Sequence, residues 1–147
     1  MNRPIKFRVW DTMEKRFIYL YSPNQQHFII DLNGQFHNLQ NGSGGDDYVI
    51  QQYTGLKDKN NDLVYDGDIV KIKRCYTRPF VNSKNEIDYK FIDDGEIEVG
   101  QVLWAPFCQK YIVSYEHFRY DDTEDFDTPS HRVEVIGNIF EHSELLK

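Results

Sequence analysis

Asp66-Gly67-Asp68-Ile69-Val70-Lys71-Ile72-Lys73 is the stretch that decides the fold class. Asp66-Gly67 suits the positive φ of a tight turn. The residues after it alternate, so Val70 and Ile72 face a core while Lys71 and Lys73 project to the opposite face. A helix would mix these faces. The same period of two recurs upstream, where Lys6-Phe7-Arg8-Val9-Trp10 sets Phe7 and Val9 against two basic residues, the pattern of a half-exposed strand. Phe17–Tyr21 and Phe28–Leu32 are aromatic and β-branched runs ending at Ser22-Pro23-Asn24 and Asn33-Gly34, which together read as a small meander.

Downstream, Glu96 to Trp104 alternates until Gly100 and then slips by one residue, which predicts a bulge at Gly100. Ala105-Pro106 ends that strand and Tyr111–Tyr115 resumes it as a hairpin. Arg132–Ile136 starts a last strand, with Gly137-Asn138 a kink or a turn, and Glu141–Lys147 alone reads as helical. The expectation is a mainly-β protein: a small, strongly bent β-barrel with an N-terminal β-meander and a short C-terminal helical turn. One domain spans 1–147, divided into an N-terminal piece (1–40), a Gly/Ser-rich linker (41–45, Asn41-Gly42-Ser43-Gly44-Gly45) and a barrel core (46–147). Tyr76 to Asp94 lacks periodicity and reads as a long insertion.

A length of 147 residues excludes a large multidomain enzyme. The net charge of −7 argues against non-specific attraction to polyanions. Residues 1–74 hold ten basic and nine acidic side chains and 75–147 hold seven and fifteen, so an anion-binding surface is to be sought in the first half. Cys75 and Cys108 lack CxxC spacing and read as reduced thiols. The N-terminus lacks the apolar stretch of a signal peptide, and no apolar run is long enough to cross a bilayer.

The chemistry-bearing residues resolve mostly into structure. Asp121 to Asp127 is strongly acidic, but as a calcium loop it places Phe126 where glycine is needed and Arg132 where a bidentate glutamate belongs. It reads as a solvated acidic loop. Asp58-Lys59-Asn60-Asn61-Asp62 imitates the same motif and reads as a hairpin turn. Asp68 is expected to hold its turn by accepting backbone N–H groups. His27, His37, His117, His131 and His142 show no metal-ligand spacing, and a pairing of Cys108 with His117 or His131 is outweighed by a small buried hydrophobe. No nucleophile elbow, zinc-protease, P-loop or dinucleotide motif is found, so neither an enzyme nor a cofactor or metal is expected. The best binding surface is Lys71, Lys73, Arg74 and Arg78 with Tyr76 and Phe80 interleaved. Its competing reading is an edge strand protected by lysines.

Three stretches can be recognised together: Phe7-Arg8-Val9-Trp10-Asp11; Gln52 to Asp58 with Val64-Tyr65-Asp66-Gly67-Asp68-Ile69-Val70; and Val135-Ile136-Gly137-Asn138-Ile139-Phe140-Glu141. They resemble the YopX family of phage and prophage proteins. The middle stretch, with Tyr53-Thr54-Gly55-Leu56, is the specific part. Two departures stand out: Asn60-Asn61-Asp62 replaces the usual Asn-Gly turn, so Asn61 must adopt the left-handed conformation, and His142-Ser143 replaces Asn-Pro, with Ser143 as the helical cap. The resemblance implies a small mainly-β protein made in a bacterial cell from phage or prophage genes and does not itself imply an activity; with no export signal or membrane span in the sequence, the expected location is the cytoplasm. Trp10, Tyr53, Gly55, Tyr65, Gly67, Asp68, Gly137 and Asn138 are its structural positions. The functional expectation is a non-catalytic binding or adaptor module acting on a host or phage protein. The alternative is a nucleic-acid accessory protein using residues 71–80; no membrane is expected as a partner, and an exposed edge strand offers a route to a homo-oligomer.

Overall fold

The computed structural model describes residues 4–106, 109–114, 124–125 and 132–147, with backbone alone for 74–77, 91, 93–96 and 124–125. The protein is mainly β. Its strands are β1 (Phe7–Asp11), β2 (Arg16–Tyr19), β3 (Phe28–Ile30), β4 (Phe36–Asn38), β5 (Tyr48–Lys57), β6 (Leu63–Tyr65), β7 (Asp68–Val81), β8 (Ile87–Ala105), β9 (Lys110–Ser114), β10 (Glu124–Asp125) and β11 (Val133–Asn138). Short 3-10 turns occur at Gly45–Asp47 and Ser143–Leu146. The chain divides into two compact units, Met1–Leu56 with Leu63–Asp66, and Lys57–Asp62 with Gly67–Lys147.

In the first unit, β2-β1-β5-β6 form one sheet and β3-β4 another. The N-terminal meander is therefore shared between two sheets: β2 pairs with β1, while β3 turns back through Gly34, at φ 78°, onto β4. Val9, Ile18, Phe28 and Phe36 form the core, with Leu20, Ile30, Tyr48 and Ile50 against it. Residues 41–45 are not a free linker. Asn38 N–H donates to Ser43 O, Gly42 N–H to Asn38 O, and Asn41 Oδ1 accepts from both the amide and the hydroxyl of Ser43. A Cβ on Gly44 would lie 2.5 Å from Phe36 O, so that glycine serves close backbone approach. The division between units falls at 56–67 instead.

In the second unit the order β10-β9-β8-β7-β11 makes an open sheet. Val70 and Ile72 are fully buried, as the alternation after Gly67 requires, and Val102 and Val113 are buried with them; Ile69, on the opposite face by that alternation, is fully buried as well. Gly67 itself, at φ 83°, donates to Val102 O and accepts from Ile139 N–H. Three expectations are corrected. Tyr76 to Asp94 is no insertion but the far end of the β7–β8 hairpin, paired from Cys75↔Asp93 to Val81↔Ile87. From Arg78 to Lys90 the described side chains are exposed apart from half-buried Asn82, so no burial imposes an apolar alternation there and the ladder leaves no periodic signal. Gly100 carries no bulge: it lies opposite Val70 in a register unbroken from Ile69↔Gln101 to Lys73↔Ile97, and the shift falls between Lys73 and Cys75. The apparent slip in sequence arises because Ile97 points outward, 63% exposed. Lys71 is not on an edge strand, since it pairs with both Val99 and Glu134.

β11 has its own register shift between Val135 and Gly137 and ends in a turn made by Asn138. Asn138 Oδ1 accepts from Phe140 and Glu141 N–H at 3.0 Å each, and its carbonyl accepts from His142 N–H. Ser143 does not cap the final turn: the N-cap position is His142, with no side-chain cap bond.

Candidate functional site

The β7–β8 hairpin continues beyond its neighbours. β11 pairs β7 at Asp68–Ile72 and β9 pairs β8 at Gln101–Ala105, leaving, among the described residues, a two-stranded ribbon past the register shift. Its tip is held by Asn82, whose N–H donates to Glu86 O at 2.9 Å and whose Oδ1 accepts from Lys84 and Glu86 N–H. Asn85 takes φ 62° and donates to Asn82 O. The two bonds to Oδ1 explain the asparagine at 82, and the positive φ explains the one at 85. Among the described side chains from 78 to 90 all are exposed except half-buried Asn82. Cross-strand pairs sort them onto two faces: Pro79↔Tyr89 and Val81↔Ile87 on one, Arg78↔Lys90 and Phe80↔Asp88 on the other.

The predicted basic–aromatic surface is spread along this strand. Lys71, exposed, and Lys73, half-buried, flank buried Ile72; Arg78 and Phe80 lie exposed on the ribbon; the side chains of Arg74 and Tyr76 are outside the described residues. At about 3.3 Å per residue, Lys71 and Phe80 are roughly 30 Å apart along the strand. Carboxylates interrupt the series, with Glu134 opposite Lys71 and Asp88 opposite Phe80. The backbone does not gather these cations into one cluster.

The motif residues converge on two structural knots, one in each unit. In the first, Arg8 is buried, its Nε 2.8 Å from Gln51 Oε1 and its guanidinium carbon 4.3 Å and 4.6 Å from the rings of Phe17 and Tyr65. Sequence alternation alone places Arg8 on a solvated face. Rings from β2 and β6, distant in sequence, cover it, and a delocalised guanidinium stacks where an ammonium would not. Trp10 meets Phe17 edge-on at 4.9 Å, and Tyr53 lies 5.8 Å from Tyr65. Burial first, and then the neighbouring Tyr21 phenol, push the Tyr65 phenol well above its ordinary pKa. Gly55 takes φ 93° in β5.

In the second knot Asp58 is buried. Its Oδ1 accepts from Asn60 N–H at 2.8 Å and Asp62 N–H at 2.9 Å, and its Oδ2 from Val135 N–H at 3.0 Å. Asn61 takes φ 71°, the left-handed conformation the sequence requires. Lys59 adds a backbone N–H donated to Val133 O and an ion pair with Glu134 at 2.6 Å. The imitation of a calcium loop is thus a turn stapled to β11. Asp68 is 1% exposed and stands opposite Asn138. At Gly137 a Cβ would meet His142 Cβ and Cγ at 2.8 Å, so His142 requires this glycine.

One pair escaped sequence reading. His37 Nε2 lies 2.9 Å from Asp31 Oδ2 beside an open cleft of ≈ 400 Å³ lined also by Ile29, Leu39 and Ser43. Ser43 Oγ–H donates to Asn41, so it is not directed at the imidazole. The Gln35 amide first, and then His37, hold the Asp31 carboxyl below the usual range. Among the described residues no group of three or more His, Cys, Asp or Glu could hold a metal. Of the acidic loop 121–127 only the backbone of Glu124–Asp125 is described, paired with β9; Cys108, His117 and His131 lie outside the described residues.

These features define a small mainly-β protein of two units that presents an exposed ribbon and uses its motif residues to hold turns and strand ends. No described helix is long and apolar enough to cross a membrane. The chain belongs to the YopX family, whose model, described as YopX protein, matches residues 6–147. Among solved structures it is similar to protein EF1440 from Enterococcus faecalis, with 22% identity, a TM-score of 0.55 and coverage of 99% of this chain and 100% of that one, a likeness of fold. No curated protein matches.

Proposed function

We propose that the protein is a non-catalytic binding module that acts on another protein through the ribbon of β7 and β8. The observation that carries this reading is the ribbon's apolar face, where Val81, Ile87 and Tyr89 are 64%, 73% and 66% exposed beside Pro79. An exposed contiguous apolar patch on a soluble surface marks an interaction site. Charge supports a protein partner: Arg78, Lys84 and Lys90 are accompanied by Glu86 and Asp88, whereas phosphate contact favours cations without carboxylates between them. The resemblance to phage and prophage proteins supports a setting in the bacterial cytoplasm, with a host or phage protein as the partner.

The test is affinity purification of the tagged protein from bacterial lysate, with and without nuclease, beside the variant Ile87→Lys/Tyr89→Lys. A stoichiometric, nuclease-resistant protein that the variant loses is the expected result. Recovery of none, across growth and infection states, overturns the reading. Nucleic acid that co-purifies until Lys71, Lys73, Arg74 and Arg78 are neutralised would transfer the function to nucleic-acid binding.

A further inference from the structure

The ribbon offers two edges and two faces, and each edge carries a block near its middle. Asn82 N–H donates to Glu86 O, which sets the phase of the ladder: residues 78, 80 and 82 bond inward with 90, 88 and 86. Residues 79, 81, 87 and 89 therefore turn their main-chain groups outward. On the β7 edge the outward donor at 79 is missing, because that residue is proline. On the β8 edge the outward N–H of Tyr89 is occupied by Asp88 Oδ1 at 2.8 Å. Each device blocks the addition of a strand at the middle of the ribbon, a known defence of exposed edges.

The apolar face has no such defence. We propose that its occupant is a second copy of this chain, with the two ribbons packed face to face and not edge to edge. The inference rests on the ribbon being the contact element, as argued above, and it adds a reversible self-associated state in which the binding face is covered.

Three observations favour a second copy. The face consists of two cross-strand pairs, aliphatic Val81↔Ile87 and ring-bearing Pro79↔Tyr89. A two-fold axis between them sets the aliphatic pair of each copy on the Pro–Tyr pair of the other, so the surface is self-complementary. Local charge does not oppose the approach, since Arg78, Lys84 and Lys90 are nearly balanced by Glu86 and Asp88 although the whole chain carries −7. The area fits a reversible contact: four partly exposed residues per copy fall short of the ~1,200 Å² of total buried surface at which stable interfaces begin.

Sedimentation velocity on the purified chain over roughly two decades of protomer concentration tests this. The wild-type protein is expected to pass from monomer towards dimer. Ile87→Lys/Tyr89→Lys, and separately Val81→Asn, should need roughly tenfold more protein to reach the same dimer fraction. Asp88→Ala, which frees the outward N–H of Tyr89 and lies off the apolar face, should dimerise at least as well as wild type. Near-UV circular dichroism checks that each variant is folded. A wild-type chain that stays monomeric throughout, or a dimer indifferent to all face substitutions, overturns the inference. A monomeric wild type would leave the proposed function standing if the lysate partner still depends on Ile87 and Tyr89, so the two failures are distinguishable.

Discussion

Replacing Asp58 by alanine removes one acceptor group from three backbone N–H donors, those of Asn60, Asp62 and Val135, at 2.8, 2.9 and 3.0 Å. The residue is 3% exposed, so water does not readily take the place of the carboxylate. Hydrogen bonds to a charged group contribute about 1.5–3 kcal/mol each, but bonds to one side chain are not additive and the turn can relax. Since single substitutions beyond about 4–5 kcal/mol are exceptional, the expected loss is about 3–4 kcal/mol. For a chain of this size that lowers Tm by roughly 10 °C. Asp58→Asn separates the parts of this loss. Its remaining oxygen can serve Asn60 and Asp62, while its amide nitrogen opposes the Val135 N–H, donor against donor, at a cost of about 2 kcal/mol. Urea denaturation gives the totals and amide hydrogen exchange gives their location. Exchange should accelerate at Asn60, Asp62 and Val135 in the alanine variant, and chiefly at Val135 in the asparagine variant. A loss below about 1 kcal/mol for alanine would refute the account of Asp58 as the staple between this turn and β11.

Gly137→Ala places a methyl group 2.8 Å from His142 Cβ and Cγ, and should cost about 1–3 kcal/mol by denaturation. Adding His142→Ala should restore part of this, because the Cγ contact goes while the Cβ contact stays; strict additivity would contradict the contact. Arg8→Lys should destabilise by about 1–3 kcal/mol, since it loses the Nε bond to Gln51 and the planar stack between Phe17 and Tyr65; a neutral effect would show that charge alone matters there. Asp31 has a folded-state pKa below its unfolded value, so its contribution is present above the unfolded pKa and fades as pH falls through the folded one. Titration followed at the Asp31 side chain and the Gln35 amide should show a midpoint below 3.8, and a midpoint at or above it would contradict the geometry.

Much of the fold is legible wherever one strand face is buried. Val70 and Ile72, and the positive φ of Gly67, follow from local pattern and turn chemistry, as does the strand end at Ala105, while the positive φ of Asn61 follows from the family resemblance. The candidate site was harder to read for the same reason. Between Thr77 and Phe91 both faces of the ribbon are solvated, so a paired hairpin carries no alternation and resembles an insertion.

The Lys71-to-Phe80 stretch was identifiable as chemistry but not as geometry, because the partners that interrupt it, Glu134 and Asp88, come from other strands. Arg8 shows the same limit from inside. Its alternation with Val9 places it opposite the core, while the rings of Phe17 and Tyr65 that bury it come from β2 and β6.

By itself the sequence determined the mainly-β class, the turns at Asp58–Asp62 and Asp66-Gly67, and the family to which the chain belongs, because these depend on residues a few positions apart. Tertiary structure alone decided where the chain divides, that Arg8 is enclosed, that Asp58 is tied to β11, and that one ribbon stands exposed with a block near the middle of each edge and an open apolar face. Each of these depends on which strands become neighbours, and strand pairing joins residues whose separation along the chain leaves no local pattern.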